Sequence, residues 1–206
     1  MRTVPGLNGV FVREACPARH RGELAVKIRI NRAPVLTLWA AVVAEELGHS
    51  RATALTLGKA IAGKGAVRKA QAIGLMKKPP EEERQKRANE RDEASDKSIF
   101  LMGKSIHMLK TKDGLFAEEN GKPTSPEAVE KYLEKKFGDN LGSSRKAMIK
   151  LARSRGKDAL AREAFRLYER FRPEVSKGTA GWGQAGQLDL AMFEKLRLSA
   201  RKTRAR

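Results

Sequence analysis

Residues 42–63 read VVAEELGHSRATALTLGKAIAG. An apolar helix runs into a glycine and a serine, and a second helix of small residues and leucines follows. That break confines this part of the chain to one of two arrangements, a DNA-reading helix-turn-helix or a pair of core helices. Val35, Leu38, Trp39, Val42 and Leu47 recur at helical spacing. Gly48 stops that helix. The Ser50 hydroxyl can accept from a free amide and so start the next one. Ala54, Leu57 and Ile61 give the second helix a buried face, and Gly63 and Gly65 are expected to break it.

A helix-turn-helix needs a small residue where its helices cross and a glycine in the turn about four residues later. Ala44 and Gly48 have that spacing. Val43 and Leu47 then face inward from the first helix. On this reading Ser50, Arg51 and Thr53 open the recognition helix near base edges or phosphates. Lys59, Lys64, Arg68 and Lys69 follow toward the backbone, since Lys mainly meets phosphate and Arg also reads guanine. Two positions fit this pattern badly: His49 stands where an apolar turn residue is usual, and Leu55 points outward.

Charge is the second constraint. The chain carries 43 Lys and Arg against 24 Asp and Glu, a formal net charge of +19. Such an excess repels itself unless a polyanion is nearby. Nucleic acid is the partner this favours, because each phosphate contact releases a counterion. An acidic membrane surface ranks second. Residues 142–178 hold eleven basic and four acidic residues, and residues 34–80 hold seven and two. Residues 81–96, EEERQKRANERDEASD, are instead net acidic.

The densest basic run is Arg145, Lys146, Lys150, Arg153, Arg155 and Lys157, within one helix and its following turn. Spacings of three and four residues put several of these on one face. Arg162, Arg166 and Arg170 repeat every four residues on the next helix, with Glu163 and Glu169 as possible partners. The alternative for both rows is a solvated helix face.

Between the two basic regions the chain changes character. LAVKIRINRAPV alternates Val26, Ile28 and Ile30 with Lys27 and Arg29, a strand pattern ended by Pro34. After KKPP and the charged segment, SIFLMGKSIHMLKTKDGLFAEENGKP carries Ile106 and Met108 in alternation, with Lys110 in the same series. KDG and NGKP are turn signals, so a small β-hairpin is expected. In a winged helix, Lys110 and Lys112 would ride on that hairpin and meet phosphate. SPEAVEKYLEKKFG starts a helix with a serine cap and Pro126 in its first turn. Its apolar face is Val129, Tyr132, Leu133 and Phe137. Two further helices bury Met148, Ile149, Leu151 and Ala152, then Leu160, Ala164, Leu167, Tyr168 and Phe171. A last amphipathic helix begins at LDLAMFEKL.

Some motifs imitate chemistry. GKAIAGKG at 58–65 has phosphate-loop spacing, but Gly65 stands where Ser or Thr must hold magnesium, and the stretch is helical. GWGQAG at 181–186 matches a dinucleotide fingerprint but follows a helix and Pro173 rather than a strand. It reads better as a loop that seats Trp182 in the core, or that offers it to a base. His20, His49 and His107 lack metal-ligand spacing. No cofactor, metal or catalytic residue is therefore expected. The single cysteine, Cys16, allows no internal disulfide and suits a reducing compartment.

The phrases INRAPVLTLWAAVVAEELG and FRPEVSKGTAGWGQAGQLDL resemble a family of small prokaryotic proteins of uncharacterised function. The resemblance covers about residues 24–198. It implies a prokaryotic intracellular protein and brings no activity or site residue with it.

These readings give a mainly α (α+β) chain. A mobile basic arm spans 1–23 and a helix-turn-helix-like module 24–78. A charged linker or exposed helix covers 79–96. A hairpin plus helical bundle spans 97–200, with a basic tail at 201–206. The expected function is nucleic-acid binding, with duplex DNA favoured, as a cytoplasmic, nucleoid-associated regulator or architectural protein. Homodimerisation would suit two half-sites. The alternatives are an RNA-binding or ribosome-associated protein, and a magnesium-dependent nuclease.

Overall fold

The computed structural model describes residues 26–72, 74–77, 80–83, 85, 97–175 and 184–204. The expected arm at 1–23, most of the charged segment and Trp182 lie outside the described residues. Residues 81–83, at the start of the charged segment, are helical and exposed.

In chain order the elements are β1 (Lys27–Asn31), α1 (Arg32–Leu47), α2 (Arg51–Ala72), β2 (Lys97–Leu101), β3 (Lys104–Thr111), β4 (Gly114–Glu119) and β5 (Lys122–Pro123). There follow α3 (Pro126–Phe137), α4 (Leu141–Arg153), α5 (Lys157–Phe171), β6 (Ala185–Asp189) and α6 (Ala191–Arg204). The fold is mainly helical with small antiparallel sheets, as the sequence leads one to expect.

Helix α1 is buried on every side from Pro34 to Ala44. Its sequence, PVLTLWAAVVA, has no polar stripe, and a helix apolar all round must be enclosed. Helices α2, α3, α4 and α5 all pack on it. The Trp39 ring is fully buried, and its indole Nε1 donates to the Ala164 carbonyl of α5 at 2.8 Å. Trp39 meets Phe171 edge to face at 5.2 Å, and Phe171 in turn stacks near Phe193 of α6 at 4.5 Å. The Tyr168 hydroxyl donates to the Arg32 carbonyl at the start of α1. Burial pushes that phenol up to about 12, against the opposing pull of Arg32 and Arg172.

The turn after α1 forms as its residues dictate. Gly48 takes the left-handed conformation, with φ 109°, and its amide and that of His49 return to the Glu45 and Ala44 carbonyls. The Thr53 amide donates to the Ser50 hydroxyl at 3.2 Å, so the expected cap is present. Helix α2 then runs back along α1. A Cβ placed on Gly58 would meet the Thr37 carbonyl oxygen at 2.3 Å and the Ala41 backbone at 3.2 Å. The pair is a close helical hairpin whose contact extends far from the turn.

Helix α2 also differs from expectation in length. It continues unbroken through Gly63 and Gly65 to Ala72. Each interior glycine costs about 1 kcal/mol of helix propensity, and burial of Leu57, Ile61, Ala62 and Ala70 outweighs it. Leu55, expected to point outward, is buried as well.

The opposite side of α2 carries the four-stranded sheet, ordered β2-β3-β4-β5. The expected single hairpin is therefore a three-turn meander. Met102–Gly103 and Asn120–Gly121 both have two successive positive φ angles, the signature of tight two-residue hairpin turns. Ile106, Met108 and Ala117 are buried on the α2 side. The buried Thr56 hydroxyl donates to the Thr53 carbonyl and accepts from the Ala117 amide, pinning β4 to α2.

A second sheet, β1 with β6, joins the two ends of the described chain. Its register runs from Lys27 opposite Asp189 to Asn31 opposite Ala185. Strand β6 occupies part of the stretch expected to be loop and helix start. Glu174 pairs with Gln187 on its other side, and a Cβ on Gly186 would meet the Glu174 carbonyl oxygen at 2.5 Å. The buried residues of both halves form one cluster. One apolar core thus spans the 24–78 and 97–200 stretches. Helix α6 extends to Arg204, so the first four residues of the expected tail are helical.

Two glycines in α2 test this packing. Gly58→Ala is expected to lower stability by about 1–3 kcal/mol or more, because backbone of α1 lies in the way. Gly63→Ala, with open space around the new methyl, is expected to raise it by about 0.5–1 kcal/mol. Urea unfolding midpoints of both variants provide the check. A neutral Gly58→Ala would rule out the close hairpin.

Candidate nucleic-acid interface

The basic residues divide into those paired with acids of neighbouring elements and those with no acid partner among the described residues. The division starts at the turn between α1 and α2. Helix α1 ends in Glu45 and Glu46 with no basic residue in its last turn. Acids there oppose the helix macrodipole. Helix α2 starts with Arg51 and no acid in its first turn, the reverse mismatch. Neighbouring helices correct both. Arg145 of α4 reaches half-buried Glu45 at 2.6 Å, and Arg153 reaches Glu46 at 3.0 Å. Glu130 of α3 takes the Arg51 guanidinium.

These pairs change the reading of several expected contact residues. Arg51 is held by Glu130, Ser50 is occupied as the α2 cap, and Thr53 is buried with its hydroxyl 2.9 Å from that of Ser50. Arg145 and Arg153 clamp α4 to the end of α1. Arg155 is largely enclosed, not part of a surface row. Its Nη2 donates to the Leu196 carbonyl at 3.0 Å, its Nη1 lies 3.8 Å from Glu163, and its Nε is buried without a partner.

Lys59 and Lys64 line a groove between α2, the β4–β5 turn and α3. Lys59 Nζ sits 5.5 Å over the half-buried Tyr132 ring, and Lys64 donates to the Ser105 carbonyl. Two adjoining hollows, of about 640 and 630 Å³, make up this groove. Glu118 and Glu119 share it with the lysines, so its charge is mixed. The α3 N-terminus beside it is already satisfied: Ser125 caps the Ala128 amide at 3.1 Å and donates to Glu127, holding that carboxyl below its ordinary range. Lys110 and Lys112 are exposed at the β3–β4 turn. The Arg68 and Lys69 side chains lie outside the described residues.

Beside Lys110 and Lys112, the expected contact residues still open to solvent lie on α4 and α5. Lys146 and Lys150, four residues apart, both point to solvent, as do Lys157, Arg162, Arg166 and Arg170. Among the described residues none of these six is in an ion pair. The α5 acids expected to neutralise the arginine row turn elsewhere: Glu163 toward Arg155 and Glu169 to Arg172 at 3.0 Å. Successive arginines of the row are about 6 Å apart along the axis. Phe165 lies beside this row, three residues after Arg162, and is 42 % exposed. The sequence carries the signal for it, since Phe165 falls outside the apolar period of Leu160, Ala164, Leu167 and Phe171. No group of three His, Cys, Asp or Glu side chains converges as a metal site among the described residues. No described helix is long and apolar enough to cross a membrane.

The two classes of cation predict opposite behaviour in neighbouring positions. Arg145→Ala should destabilise the fold by about 1 kcal/mol, since it strands Glu45 at the wrong end of α1. Lys146→Ala should stay within about 0.5 kcal/mol of the parent. Thermal or urea unfolding distinguishes them, and equal effects would contradict the division. Comparison of the chain with family models, curated proteins and solved structures finds no match.

Proposed function

We propose that the protein binds nucleic acid through phosphate contacts made by the outer faces of α4 and α5. One observation carries this reading. In a chain of net charge +19, six cations on two consecutive helices face solvent with no carboxylate partner among the described residues. Cations left unpaired at such a density lower their mutual repulsion most by meeting phosphates and releasing condensed counterions.

Insertion of α2 into a groove is not part of this reading. A recognition helix needs free side chains at its N-terminal end, and there Arg51 is bound by Glu130 while Thr53 is buried. Contacts confined to phosphates fix position on the polymer and carry no sequence information. Weak sequence preference follows.

Titration of a labelled duplex across a salt series tests the proposal. Each phosphate contact contributes about 0.9 to the slope of log affinity against log salt, so six contacts give a slope of about −5. Changing Lys146, Lys150, Arg162 and Arg166 together to Ala should remove about 3 to 4 of that. Arg51→Ala and Lys59→Ala should leave it in place. A flat salt response, or a slope untouched by the fourfold change, would sink the proposal.

A further inference from the structure

Phosphate contacts alone leave Phe165 unexplained. A phenylalanine on the solvent side of a helix loses the burial that normally justifies it. Here the ring is 42 % exposed, inclined at 40° to the buried Tyr168 with centroids 6.2 Å apart. That contact holds one part of the ring and leaves the rest open. Arg162 lies one turn before it and Arg166 follows it directly, both exposed and both unpaired among the described residues. Asp158 shares this face at the first turn of α5, where its charge suits the helix dipole, and Glu169 is tied to Arg172.

An aromatic ring beside cations is the arrangement that binds unpaired bases. The cations track the backbone while the ring stacks on a base, whatever its identity. A duplex offers no such base, because its bases are stacked on one another. The alternative occupant, an acidic lipid surface, needs several apolar side chains along one face. The exposed face of α5 offers only Ala161 and Phe165.

Resting on the phosphate-contact reading, we infer that the α5 face selects unpaired nucleotides, with Phe165 stacking a base while Arg162 and Arg166 hold the flanking phosphates. The protein then prefers single-stranded or unpaired segments of RNA or DNA over a fully paired duplex.

The test measures affinity of the full chain for short single strands of RNA and of DNA, for the matching duplexes, and for phosphatidylserine vesicles. Phe165→Ala should weaken single-strand binding about tenfold and duplex binding less than twofold. Phe165→Leu keeps apolar bulk without a π face and should behave like Phe165→Ala. Phe165→Trp should restore binding. Matching circular dichroism melts establish that the variants remain folded. Equal loss on RNA and DNA strands assigns the site to unpaired bases in general, and loss on RNA alone assigns it to RNA; both support the inference. Salt-sensitive binding that Phe165→Ala leaves unchanged on single strands would overturn it, while the phosphate-contact reading stands. Rescue by Leu, or a loss confined to vesicles, would also overturn it. Absence of any salt-sensitive binding would remove both readings together.

Discussion

Helix α1 has no side that water can wet between Pro34 and Ala44, and the rest of the molecule is arranged to meet that constraint. A buried helix needs a neighbour on every face, and each neighbour must bring an apolar stripe of its own. Helix α2 supplies one through Gly58, whose missing side chain lets two backbones approach. Helix α5 supplies another through Ala164, small enough for Trp39 to reach the carbonyl behind it. The aromatic cluster of Trp39, Tyr168, Phe171 and Phe193 then ties α6 into the same core. Strands β1 and β6, which flank this core in sequence, pair to close it.

The same constraint governs the electrostatics. A helix buried to its last turn brings its end charges close to other elements. Glu45 and Glu46 at the C-terminal end of α1 and Arg51 at the start of α2 are each on the wrong side of a helix dipole. Their partners come from α3 and α4, so these three pairs orient two helices around one turn. These cations already have a carboxylate partner within the fold. Those that remain on α4 and α5 define the surface on which the functional proposal stands.

Much of this was legible in the sequence because it is local. The glycine stop at Gly48, the serine caps at Ser50 and Ser125, and the apolar faces of α3, α4 and α5 follow from spacing alone. The misreadings share one cause, which is contact between distant residues. Gly63 and Gly65 read as helix breakers until α1 and the sheet are seen packing along α2. Strand β6 has the composition of a loop, and only its pairing with β1 makes it a strand. The spacing of Ala44 and Gly48 suits a reading module and a core hairpin equally, and it does not show the close approach of Gly58 to α1. A basic run likewise does not say which of its members will meet an acid. Arg145 and Lys146 are adjacent in sequence, yet one is a clamp and the other is open to solvent.

Lysine-reactivity footprinting by mass spectrometry locates the contact in one intact protein, because exposed lysines away from α4 and α5, such as Lys110 and Lys112, report alongside those on the proposed face. On addition of nucleic acid at low salt, Lys146, Lys150 and Lys157 should lose reactivity while Lys59, Lys110 and Lys112 keep theirs. Protection of Lys59, Lys110 and Lys112 with the α4 and α5 lysines still open would place the contact elsewhere and contradict the account.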